Sequence, residues 1–171
     1  MSNEVIDDDR DYRDVLRNLA GLVDDPGITI GIHGEDNDPY ERGQGEPVTT
    51  AQIGSFHEFG TLDRYEDSSP AGGGGQGVPQ RSFLRSTMDD NRTKYSGMIS
   101  KVVGRAIDGS MSIDRGLGLV GAKASADVQR KIQSNIPPPL TDATIERKQS
   151  STALIDTGQL VQAISWQVSR D

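Results

Sequence analysis

Apolar side chains at Tyr12, Val15, Leu16, Leu19, Leu22 and Val23 recur at the spacing of one amphipathic helix. Asp24-Asp25-Pro26-Gly27 stops it, and Ile28-Thr29-Ile30-Gly31-Ile32 alternates as a β-strand does. Gly34 to Pro47 is polar and reads as a loop. Thr49 or Thr50 caps a short helix through Phe59 that buries Ile53 and Phe56, with Gly60 at its C′ position. Thr61 to Gly77 contains Ser68-Ser69-Pro70 and four consecutive glycines, the composition of a long flexible loop. Ser82 to Ile107 carries the longest helical pattern, broken by Asp108-Gly109-Ser110. A second helix follows from about Ser112 to Ser134. Its Gly116, Gly118 and Gly121 each weaken it by about 1 kcal/mol against alanine, and at that spacing they either let another element pack closely or fray the start of the helix. Pro137, Pro138 and Pro139 then hold the chain extended. Thr141 caps a short helix from about Asp142 to Lys148, and Asp156 or Thr157 caps another. Ala163 to Val168 alternates as a last strand, expected to pair beside Ile28–Ile32.

This order of elements predicts an α+β fold: a small, mostly antiparallel sheet packed against two longer helices. Residues 1–11, with Asp7-Asp8-Asp9, are expected to form a flexible acidic arm, and residues 12–171 a single domain with 61–77 as its flexible loop. Only 33% of the 171 residues are hydrophobic and 5% aromatic, and twenty are glycine, so the core is expected to be small. Burying shared surface in an oligomer is the usual remedy for a thin core.

The formal net charge of −8 argues against a chain that wraps nucleic acid, whose phosphates call for clustered Lys and Arg. A duplex passing nearby without specific binding remains compatible with that sign. There is no cysteine, hence no disulfide framework and no thiolate metal site. No apolar run approaches the ~20 residues that span a bilayer, and the N-terminus lacks a signal-peptide pattern, so folding in a cytoplasm with no membrane partner is expected.

Candidate chemistry is sparse. His57-Glu58 suggests a zinc helix, but the position one turn on is Thr61 and the other histidine is His33. Asp36-Asn37-Asp38 near Glu35 resembles a calcium loop without its glycine and final glutamate, so a solvated acidic turn is the better account. Gly72–Gly77 lacks the Lys-Ser/Thr of a phosphate loop, and no Gly-x-Ser-x-Gly elbow occurs. The expectation is a non-enzyme with no catalytic residue, cofactor or metal. Arg81 and Arg85 lie four apart, with Arg92 further along, on what is expected to be one face of the long helix. They read as a solvated face or as forks reaching carboxylates of an adjacent subunit. Trp166, the only tryptophan, suits the core better than an interface centre.

Three segments in order resemble the small tail-completion, or head-to-tail joining, proteins of long-tailed bacteriophages, including the Mu-type virion-morphogenesis group. They are His57-Glu58-Phe59-Gly60-Thr61, then Val78-Pro79-Gln80-Arg81-Ser82-Phe83-Leu84-Arg85, then the stretch from Pro139-Leu140 through Thr144-Ile145-Glu146-Arg147-Lys148 and Leu154–Leu160 to Ile164-Ser165. The second departs from the family's pattern, with Ser82 where proline is usual, which implies a looser turn. The resemblance implies a structural virion protein, made in the host cytoplasm, that forms a closed ring of six or twelve copies at the phage neck. Its implied partners are itself and the adjacent neck, connector, tail-terminator and tail-tube proteins. Subunit-interface candidates are Arg81, Phe83, Arg85, Arg92, Leu154, Asp156 and Trp166. The rival readings are a minor capsid or baseplate component, and a small hydrolase of phage assembly.

Overall fold

A computed structural model describes residues 10–23, 25–39, 48–61, 77–139, 154 and 158–170. Helix α1 spans Arg10–Val23, two residues earlier than the apolar pattern begins, and the chain turns at Asp25, whose φ of 42° is the left-handed conformation that a short acidic side chain tolerates. Strand β1 (Pro26–Gly31) and a 3₁₀ turn (Gly34–Asp36) precede α2 (Thr50–Phe59). Helices α3 (Leu84–Asp90), α4 (Arg92–Ile107) and α5 (Ile113–Gln133) follow, then a single turn α6 (Gln159–Gln162) and strand β2 (Ser165–Arg170). The two strands pair antiparallel, so the fold is α+β. Arg10 and Asp11, the last two residues of the expected arm, belong to α1; the rest of the arm, most of the 61–77 loop, and the short helix from Asp142 with its Thr141 cap lie outside the described residues.

Three details differ from the sequence reading. The helix expected over Ser82–Ile107 is two helices. Asn91 leaves helical geometry, and both its backbone N–H and its side-chain amide donate to the Thr87 carbonyl (3.2 and 2.9 Å). A short amide side chain that bonds its own backbone competes with helix continuation. Next, α2 buries Thr50, Gly54 and Glu58, one turn apart, and not Ile53 and Phe56; Phe56 is 41% exposed. Last, α6 is preceded by Gly158 at φ 81° with no side-chain cap, while Asp156 and Thr157 lie outside the described residues.

The chain divides into two compact units. In the first (residues 1–29, 92–123 and 166–171), Val102 and Ala106 of α4 meet Ile113, Leu117 and Val120 of α5, with Ile28 and Val168 of the sheet packed against them. The glycines of α5 have a packing role there. A Cβ on Gly116 would fall 2.2 Å from Val102 Cγ1, and those on Gly118 and Gly121 would fall 3.0 and 2.9 Å from the Trp166 indole. Trp166 thus lies across the glycine face of α5 while staying 37% exposed. In the second unit (residues 30–91 and 124–165), Phe83, Val128, Ile132, Leu154, Leu160 and Ile164 form the core. Among the described residues no helix is long and apolar enough to cross a membrane.

The glycines separate two opposing effects. Gly104 meets nothing within 4 Å, so Gly104→Ala should gain helix propensity, up to about 1 kcal/mol, and raise the melting temperature. Gly116→Ala has the same propensity gain but drives into a stiff β-branched side chain, a clash that costs about 1–3 kcal/mol. Its melting temperature should fall by several degrees, and Val102→Ala in the same chain should recover part of the loss; calorimetry of the three variants checks the sign of each.

Candidate functional site

The described residues of all three family-like segments lie in the second unit, and they meet there. The first is anchored by α2. Thr49 accepts from the Gln52 amide and Gln52 returns a carbonyl oxygen to the Thr49 N–H, a complete capping box. Thr50 donates its hydroxyl to Asp38 O, and the Ala51 amide donates to Asn37 Oδ1, so the turn before the helix is tied to its first residues. Gln159 of α6 donates to the Thr50 hydroxyl oxygen and to Pro39 O.

At the far end of α2 the buried Glu58 side chain points at the start of α3. Helix α3 has no side-chain cap of its own at Phe83. The Glu58 carboxylate supplies it: Phe83 N and Leu84 N donate to Oε2 (2.8 and 2.9 Å), Arg85 N donates to Oε1 (3.1 Å), and Ser82 Oγ donates to Oε1 (2.6 Å). The first amides of a helix have no partner within it and carry partial positive charge, which is where a carboxylate is best placed. Ser82 therefore does not loosen the turn. Its hydroxyl adds a donor that proline lacks, and its oxygen also accepts from Ser86 N.

Arg81 completes the junction. Its backbone N–H donates to His57 O (2.7 Å), and its guanidinium donates through Nε and Nη2 to Pro138 O (3.1 and 2.7 Å). The residue is 3% exposed, and burial lowers its pKa from the ordinary arginine value. The Pro137–Pro138 peptide is cis. Gly60 joins the same region because its φ is 74° and a Cβ there would come within 3.1 Å of Gln80 N and Val78 O. Beside it, Thr61 N donates to Val78 O and Val78 N to Thr61 Oγ1, while Gln80 Nε2 donates to Glu58 O. The chain thus leaves at Thr61 and re-enters at Val78 side by side. From the third segment, Leu154, Leu160 and Ile164 pack with Phe83 in one core.

Of the residues singled out from sequence, Arg81, Phe83 and Leu154 are buried in this junction and its core. Arg85 is exposed in the first turn of α3, Arg92 is exposed at the start of α4, and Asp156 lies outside the described residues. Arg81 precedes α3 instead of sharing a helical face with Arg85, because the helix begins only at Leu84. Glu58 was missed as a structural residue. The signal was available: an acid at the third place of the Thr50–Gly54–Glu58 row, ahead of a helix start that lacks its own cap.

Two arrangements bear on enzymatic chemistry. A cleft of about 220 Å³ is lined by Gly31, Ile32, Gly54, Glu58, Phe59 and Phe83, among others, but both Glu58 oxygens already accept from the α3 start. Elsewhere Ser165 Oγ donates to Asp36 Oδ2 (2.6 Å) and lies 2.8 Å from His33 Nδ1. With its one proton given to Asp36, the hydroxyl accepts from Nδ1–H. That is the reverse of a nucleophilic serine, which must give its proton to an imidazole. The three side chains tie the start of β2 to the turn after β1.

Removing the cap should cost more than removing a surface acid. Glu58→Ala strands the amides of Phe83, Leu84 and Arg85 in a buried place, at about 2–4 kcal/mol, whereas Asp89→Ala, exposed on α3, should shift stability by less than about 0.5 kcal/mol. Urea unfolding of both variants checks the contrast.

No family model, no curated protein and no solved structure matches this chain.

Proposed function

We propose that this chain is a structural virion protein of a long-tailed phage, forming a closed ring at the neck that completes the tail or connector and lets head and tail join. The observation that supports this reading is convergence. The three segments that resemble tail-completion proteins are far apart in sequence, yet their described residues meet in one place: Glu58 supplies the carboxylate, Arg81 to Arg85 the helix start, and Leu154, Leu160 and Ile164 the core that receives Phe83. A motif set used only to build a scaffold suits a protein that works by shape and surface contact. Arg85, from the second segment, and Arg92, at the start of α4, are both exposed and can reach a neighbour. Rings of this kind use heterologous contacts that close by rotation.

The clamp between Thr61 and Val78 also fixes where the glycine-rich segment departs and returns. Deleting Gly72–Gly75 should leave the junction folded, with a circular dichroism spectrum like that of the parent, and should lower infectivity by impairing joining; wild-type infectivity would remove the segment from the account. The class itself is tested by electron microscopy of a lysate from a phage with a nonsense mutation in this gene. Full heads beside separate tails are expected. Joined particles that are merely non-infectious would move the protein to a baseplate or enzymatic role.

A further inference from the structure

Charge is unevenly spread along this acidic chain. Helix α4 carries Arg92, Lys94, Lys101 and Arg105 and no acid, and all four are exposed. Positions 94, 101 and 105 are seven and eleven residues apart, close to two and three whole turns, so they line one stripe within about 40° of arc and about 16 Å long. Gly97 and Gly104 flank that stripe with open space where a Cβ would stand, so a neighbouring backbone meets no side chain there. In contrast, Ile30–Asn91 holds eleven acids and four basic residues.

Several of the described acids already have partners. Asp14 pairs with Arg17, Asp90 with Lys131, Asp114 with Arg170 and Asp127 with Arg130. Glu58 is taken by α3, and Asp36 by Ser165. Glu35 and Asp38, exposed on the turn after β1, form no ion pair among the described residues, and neither do Lys101 and Arg105. Arg105 has an acid nearby in Asp108, just past the helix end, whose carboxyl is held below its ordinary value chiefly by hydrogen bonds from Ser110.

We propose that the Lys101–Arg105 stripe of α4 docks on the Glu35–Asp38 turn of a second copy of this chain. The two patches are unlike in sign and lie on different units, so each copy offers one of each. Repeated head to tail, such a contact is heterologous, the kind that closes into a ring by rotation. A duplex nucleic acid is the other polyanion such a stripe attracts, but three cations neutralise few phosphates while a net charge of −8 repels the rest. The pairing deepens the ring reading above, yet it is tested on the purified chain alone, so it can fail while the neck assignment stands, and the reverse.

The test is sedimentation velocity of the full chain over a range of concentration at 50 and 500 mM NaCl. Wild type should self-associate, more weakly at the higher salt. Lys101→Glu with Arg105→Glu should weaken association by about tenfold or more, and Glu35→Lys with Asp38→Lys should do the same, since each sets like charges opposite one another. A chain carrying all four reversals should associate again, which a merely misfolded variant would not do. Circular dichroism confirms that each variant keeps its helices. A monomeric wild type, reversals without effect, or four reversals that do not restore association each overturn the proposal. So does salt-sensitive binding of a fluorescent 30-base-pair duplex that the first pair of reversals abolishes while self-association is unchanged.

Discussion

The second unit depends on one buried carboxylate. An unpaired acid in the interior is costly enough that such groups survive only when their oxygens are fully used. Glu58 meets that condition by capping a helix from outside it: three amides and one hydroxyl converge on its two oxygens. Next to it in space, where its N–H meets the His57 carbonyl, Arg81 is buried on the opposite principle, its guanidinium donating to the Pro138 carbonyl. Acid and base are thus both satisfied mainly by backbone, the anion by three N–H groups beside the Ser82 hydroxyl and the cation by a C=O. With α3 held in this way, Phe83 is fixed in the core beside Val128, Ile132 and Leu160.

Much of the secondary structure was legible in the sequence, for local reasons. Helix α1 announces itself by its apolar stripe, α2 by Thr49 and Gly60 at its ends, and the strands by alternation. What was not legible depended on partners distant in sequence. The exception is Asn91, whose side-chain amide bonds the Thr87 carbonyl only four residues back and ends a helix whose apolar pattern runs straight through it. The face of α2 was misjudged because Ile53 and Phe56 look like core residues and Glu58 does not, until the uncapped start of α3 is placed beside it. Likewise the glycines of α5 read as helix weakeners; only the positions of Val102 and Trp166 show that they admit close packing.

The same physics bears on what the chain does. Its arginines differ in role: Arg81 is an interior strut, Arg85 and Arg92 are surface groups, and sequence spacing could not separate them. Several large apolar residues of α1 are exposed, among them Tyr12 and Val23 at 65 and 83%, in keeping with the small core expected from composition. The ties at Glu58 and at Ser165 spend polar groups on holding elements together, which suits a scaffold whose surface carries the function.

The central claim, that Glu58 caps α3 and thereby holds the junction, is tested most directly by amide hydrogen exchange of the intact chain, followed residue by residue by NMR. The account predicts that Phe83, Leu84 and Arg85, which no intrahelical carbonyl can protect, exchange slowly in the wild type and near the rate of unstructured peptides in Glu58→Ala, while α4 and the first half of α5 keep their protection. Rapid exchange of those three amides in the wild type, or unchanged protection in the variant, would contradict it.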